Sequence, residues 1–120
     1  MNESNKLLRI SPSAAGEAVT PIAAERIIAG SPSEIVANLF TNRNENFFCG
    51  VWASTTGKWV LNYSEDEFCY LIEGEAILRD KLGNEERINP GDAFVIPAGY
   101  QGSWETIGHA KKFYAIYEES

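Results

Sequence analysis

From Phe47 onward the chain is written in short β-prone runs, each closed by turn-forming residues after roughly 8–12 positions. The runs are 47–53, 58–63, 67–73, 75–80, 85–89, 93–97, 101–106 and 111–118, and Gly, Asn, Asp, Ser and Pro separate them. Spacing of this kind leaves no room for long helices and points to an antiparallel sandwich or barrel. Ahead of it, 22–40 brings back apolar residues around Gly30-Ser31-Pro32-Ser33. The signals there predict one short helical turn over 32–38, with Ser31 as its cap and Pro32 at its first position. Residues 1–21 are poor in large apolar side chains and read as a flexible arm, leaving 22–120 as a single domain.

Alternation along 67–73 places Glu67, Cys69 and Leu71 on one face and Phe68, Tyr70 and Ile72 on the other. Three large apolar groups on an outer face need a cover, since burying each one contributes roughly 1.5–3 kcal/mol. The final run repeats the problem, with Lys112, Tyr114 and Ile116 opposed to Phe113, Ala115 and Tyr117. Residues 22–40, a second copy, or both could supply that cover. The expectation is a homodimer with the N-terminal segment wrapped across a sheet.

Charge and rare residues restrict the chemistry. The 120 residues include 10 basic and 17 acidic side chains, a formal charge of −7, and so lack the clustered Lys and Arg that a nucleic acid or an anionic membrane requires. No apolar run approaches the roughly 20 residues of a membrane helix. Cys49 and Cys69 form no Cys-x-x-Cys pair and no secretory signal pattern precedes them, so free thiols and a cytoplasmic location are expected. The one histidine, His109, sits beside Gly108 and reads as a solvated surface residue. A histidine-rich metal site is therefore hard to assemble.

The stretch Gly91-Asp92-Ala93-Phe94-Val95-Ile96-Pro97-Ala98-Gly99 resembles the second signature motif of the cupin superfamily, and Glu67 to Gly74 resembles the end of the first. The words Gly50-Val51-Trp52, Gly57-Lys58-Trp59, Asp66-Glu67, Tyr100-Gln101-Gly102-Ser103-Trp104 and Lys112-Phe113-Tyr114 are similar to those of small cupins related to the cupin domain of ureidoglycine aminohydrolase. The likeness covers about residues 20–118. It implies an all-β, RmlC-like cupin fold: a double-stranded β-helix, or jelly-roll barrel, carrying the N-terminal arm. In metal-binding cupins two histidines precede the first-motif Glu and a third follows the second motif. Here those positions hold Leu61 and Tyr63, or Val60 and Asn62, and then Gly102. Only Glu67 remains, with Tyr63 and Cys69 as the other donors in view, so neither a metal nor another cofactor is expected.

A carboxylate pointing into such a barrel needs a hydrogen-bonding or cationic partner. Lys112 is the expected cation and Tyr63 the expected hydroxyl, giving Glu67, Tyr63 and Lys112 as an acid–base set or as a structural ion pair left from a metal-binding ancestor. Trp59 and Trp104 stand beside the motifs as pocket rings, ahead of Trp52. Gln101, next to the missing histidine position, is a candidate amide contact, and Cys69 either lines the site or packs as a small hydrophobe. The function expected is small-molecule binding, with metal-independent chemistry on a small polar metabolite. The alternatives are a non-catalytic ligand sensor or accessory protein, and a metal-dependent hydrolase like the ureidoglycine enzyme.

Overall fold

The computed structural model describes residues 5–14, 16 and 18–119. Its strands are β1 (Thr20–Pro21), β2 (Ile27–Gly30), β3 (Ser33–Thr41), β4 (Phe47–Asn62), β5 (Asp66–Asp80), β6 (Glu85–Ile88), β7 (Ala93–Ile96) and β8 (Gln101–Tyr117), with one 3-10 turn at Ala24–Arg26. All pairings are antiparallel. The eight-stranded sheet runs β1-β3-β4-β8-β5-β6, with β2 added on β4 and β7 on β5.

Three long strands make the architecture. Breaks expected at 54–57, 74 and 107–110 are bends inside β4, β5 and β8, where the pairing register shifts at Thr55/Gly57, Leu71/Glu73 and Gly74/Glu75. Bulges of this kind bend a strand without ending it. Gly74 shows why the residue type matters: its φ is +84°, and a Cβ there would lie 1.8 Å from the His109 carbonyl oxygen. Bending all three strands along one line folds the sheet over, so that Trp52 from one half meets Trp104 from the other at 5.3 Å between ring centroids.

The expected closed jelly-roll barrel does not form. The path of paired strands ends at β1 on one side and β6 on the other, and β2 and β7 pair only with β4 and β5. The sheet is doubled over but open, because the strands at its ends are only two and four residues long and do not reach each other. The all-β reading stands.

Residues 32–38 also depart from expectation, lying mostly in β3. Glu34, Val36 and Asn38 line the interior, a period-two pattern, and Glu34 to Thr41 pair with Ser54 to Phe48. Pairing along β4 outweighs the local Ser-Pro helix signal. Pro32 is fully buried, and its carbonyl accepts the Ile22 N–H at 3.0 Å. Of the expected arm, residues 1–4, 15 and 17 lie outside the described residues. Thr20–Pro21 pairs with β3, and Gly16 passes so near β3 that a Cβ would be 2.5 Å from the Val36 carbonyl oxygen.

The core joins both halves: Leu61, Cys69, Leu71, Leu78, Ile96 and Trp104 are buried in one cluster. Residues 22–40 extend the β4 side of the sheet rather than lying over β5. Phe68 (47% exposed), Tyr70 (38%) and Val95 (59%) consequently remain open on the outer face.

Candidate functional site

The folded sheet holds an open cavity of about 830 Å³. Register brings its floor together: on β8, Lys112 stands opposite Trp52 of β4 and Leu71 of β5, while Tyr114 stands opposite Cys69 and Ile116 opposite Glu67. Alternation points Glu67 and Cys69 inward from β5 and Lys112 and Tyr114 inward from β8. Tyr63, just beyond β4, is placed by two backbone bonds: its N–H donates to the Tyr100 carbonyl at 2.9 Å and its carbonyl accepts the Gly99 N–H at 2.7 Å.

Lys112 and Glu67 form an ion pair at 2.9 Å between Nζ and Oε2, with each side chain 5% exposed. The Tyr63 hydroxyl donates to Glu67 Oε1 at 2.5 Å, and Lys112 Nζ lies 3.5 Å from Cys69 Sγ. The same ammonium sits 4.8 Å from the Trp52 ring centroid and 4.7 Å from that of Trp104, within cation–π range. The ion pair is therefore walled by two indoles.

Electrostatics keep both donors protonated. Burial disfavours the Lys112 ammonium, but its contacts with Cys69 and Glu67, the latter a charged hydrogen-bond partner, more than offset it and hold the group above the usual lysine range. Burial, with the Glu67 charge and hydrogen bond behind it, pushes the Tyr63 phenol well above its ordinary value. Cys69 is pushed up to about 12, mainly by burial, so it remains a thiol at neutral pH. Glu67 is thus an acceptor held between two donors.

A second polar layer lies toward β3. Trp52 Nε1 donates to Glu34 Oε1 at 2.8 Å, and the Tyr114 hydroxyl donates to Asn38 Oδ1 at 2.8 Å. Trp104 Nε1 donates to Thr106 Oγ1 at 2.8 Å, and Thr106 is bonded at 2.6 Å to Ser54. At the rim, Arg26 Nε and Nη2 donate to the Val60 carbonyl.

Of the residues expected from sequence, Glu67, Tyr63, Lys112 and Cys69 come together. Trp59 and Trp104 line the cavity with their rings stacked at 6.4 Å. Gln101 is exposed and lies outside the lining; it stands opposite Asn62, and its carbonyl accepts the Lys81 N–H at 3.0 Å. His109 is exposed, 3.3 Å from Glu73. Sequence reasoning did not single out Glu34, Asn38 or Arg26, and ranked Trp52 too low. The alternation of Glu34, Val36 and Asn38 was the available signal, hidden by reading that segment as a helical turn.

The residues present do not fit a divalent metal. Both Glu67 oxygens are engaged by Tyr63 and Lys112, and an ammonium stands beside the carboxylate. Among the described residues no group of three or more His, Cys, Asp or Glu is arranged to hold an ion.

The model of the EutQ-like cupin domain matches residues 41–114, well over half of the chain and the whole span from the end of β3 to Tyr114. The chain belongs to the EutQ-like cupin family. No curated protein matches it. A solved protein of unknown function of the DUF861 family from Pseudomonas syringae pv. tomato is similar, with 27% identity and a TM-score of 0.81, over 89% of this chain but 46% of that one. Clostridium difficile EutQ shares 20% identity at TM-score 0.65, over 74% of this chain and 65% of that one. A putative ethanolamine utilization protein from Salmonella typhimurium shares 18% at 0.63, covering 76% and 72%. The chain spans less than half of the Pseudomonas protein and 65% of the Clostridium protein. The last two likenesses bear on the fold alone. Membership in the cupin superfamily is shown; nothing in these matches singles out the ureidoglycine aminohydrolase branch. No helix among the described residues is long and apolar enough to cross a membrane.

Proposed function

We propose that this EutQ-like cupin domain binds a small polar metabolite in the cavity above Glu67 and acts on it without a metal, through Glu67, Tyr63 and Lys112. The observation that carries the reading is the buried Glu67–Lys112 pair at the floor of an 830 Å³ cavity. Two charges removed from water cost several kcal/mol of desolvation each, and a hydrophobic pair of similar size would stabilise the fold as well or better. Retaining them beneath a cavity suits a site that handles protons. In that site Glu67 is the base, while Tyr63 and Lys112 hold its orientation and present protons to an acceptor atom of the substrate. Trp59 and Trp104 form the wall against which a flat or compact molecule packs; Cys69 positions Lys112 from below. Gln101 is not needed in this arrangement.

A thermal-shift screen of small acids, amides, amines and ureides tests the binding step. A hit should raise the melting temperature, as mass action requires, and Glu67→Gln should abolish turnover of that hit while leaving the fold intact. No hit of any class would contradict the reading.

Mutual satisfaction of Glu67, Tyr63 and Lys112 favours a second reading, a ligand sensor or accessory protein that keeps the pocket without chemistry. Binding without turnover, unchanged by Glu67→Gln, would select it. The free thiols Cys49 and Cys69 suit a reducing cytoplasm.

We also propose that a second copy covers Phe68, Tyr70 and Val95. Val95 of β7 stands opposite Phe68, and Tyr70 stacks on Phe113 of β8 at 6.2 Å between ring centroids, so these side chains form one apolar patch across three strands. The patch residues carry no charge on a chain of charge −7, so contact through them is the arrangement of two copies that adds least repulsion.

A further inference from the structure

The charges that line the cavity are unequal. Three carboxylates, Glu34, Glu65 and Glu67, face it together with two cations, Arg26 and Lys112. Glu67 and Lys112 neutralise one another at 2.9 Å in the floor. Arg26 is exposed at the rim, where water screens it, and its guanidinium is turned onto the Val60 carbonyl. Glu65 accepts from its chain neighbour, the Ser64 N–H and hydroxyl both bonding its Oε1. Glu34 differs in being tied to the aromatic wall: it is half-buried, the Trp52 indole N–H fixes its Oε1 at 2.8 Å, and its second oxygen retains capacity to accept.

The walls already stabilise an organic ammonium. Lys112 places its own Nζ within 5 Å of two indole rings, with a carboxylate as counter-ion. Trp52 belongs to both constellations, since its ring contacts Lys112 and its N–H orients Glu34. A second cation entering the cavity meets the remaining aromatic surface, including Trp59, with Glu34 as an oriented and unneutralised counter-ion.

We infer that the cavity selects a small organic ammonium, held against the aromatic wall with Glu34 as its counter-ion. This rests on the reading of the cavity as a small-molecule site and names the ligand class. An anion would meet a net negative lining on a chain of charge −7, whereas a cation is drawn in by both. The ammonium sits beside the Glu67 floor without displacing Lys112, and the remainder of the ligand reaches Tyr63.

The test is a titration of the intact ¹⁵N-labelled protein with tetramethylammonium, ethylammonium, acetate and acetamide, following the indole N–H signals of Trp52 and Trp59. The two ammonium probes should shift these signals saturably, at least tenfold more tightly than acetate or acetamide. Glu34→Gln keeps an oxygen for the Trp52 N–H and so preserves the fold, and it should weaken the ammonium probes at least fivefold. Acetate or acetamide binding as tightly as the cations, or ammonium binding unaffected by Glu34→Gln, would overturn the inference and leave the small-molecule reading in place. Silence from all four probes would also overturn it, and only an empty thermal-shift screen beside that silence would remove the broader reading.

Discussion

Lys112 concentrates the energetics of the site in one side chain. Its ammonium is held by Glu67, Cys69 and two indole faces, so its removal leaves a buried carboxylate with Tyr63 as its remaining partner. Lys112→Met should destabilise the fold by about 3–5 kcal/mol in urea denaturation, the usual cost of breaking a buried pair from one side. The double variant Glu67→Leu/Lys112→Met should recover most of that loss, because no uncompensated charge remains. The pH dependence follows from the upward shifts of Cys69, Tyr63 and Lys112. A group raised above its unfolded value contributes stability that is full below the unfolded pKa and disappears as pH rises through the folded one. Denaturation midpoints should therefore hold steady at neutral pH and fall from about pH 8.5 upward, as the unfolded Cys, then Tyr and Lys, give up protons first. Lys112→Met should flatten the part of that fall above about pH 10.4.

At the scale of the element, the bend line is what the sheet cannot do without. Gly74→Ala would force a side chain onto the His109 carbonyl at a φ of +84°, and thermal melts should show a loss of about 3 kcal/mol or more from strain and overlap together. Gly99→Ala, also at positive φ but with open space around it, should lose only about 1–2 kcal/mol. The same bends explain what was legible in the sequence. Alternation puts Glu67 with Cys69 on one face of 67–73 and Lys112 with Tyr114 on one face of 111–118, and that was legible because period two survives whatever the sheet does globally. Whether Gly57, Gly74 and Gly108 end strands or bend them was not legible. A glycine with positive φ serves either purpose, and the choice depends on pairing between β4, β8 and β5 that is distant in sequence. The β3 side of the site was lost for a related reason: Ser31-Pro32 is a sound local helix signal, and only the partner strand β4 overrules it. Sheet closure likewise depended on the lengths of β1 and β6, which local patterns do not set.

For the whole molecule, Glu67 lines the cavity from the inward face of β5, while Phe68 and Tyr70, with Val95 of β7, lie exposed on the opposite face. Association through that patch would leave the cavity free. Light scattering at micromolar concentration should give twice the 13.3 kDa chain mass, and Phe68→Lys should return the monomer with the fold unchanged. A monomeric wild-type chain would contradict the dimer. A protonated lysine paired with Glu67 in the floor of a ligand cavity is read most directly from the Lys112 ammonium itself by ¹⁵N NMR at neutral pH. One slowly exchanging ammonium signal is expected, absent in Lys112→Met and moving when a compound that raises the melting temperature is titrated in. Absence of that signal from the wild-type protein, or its indifference to every such compound, would contradict that arrangement.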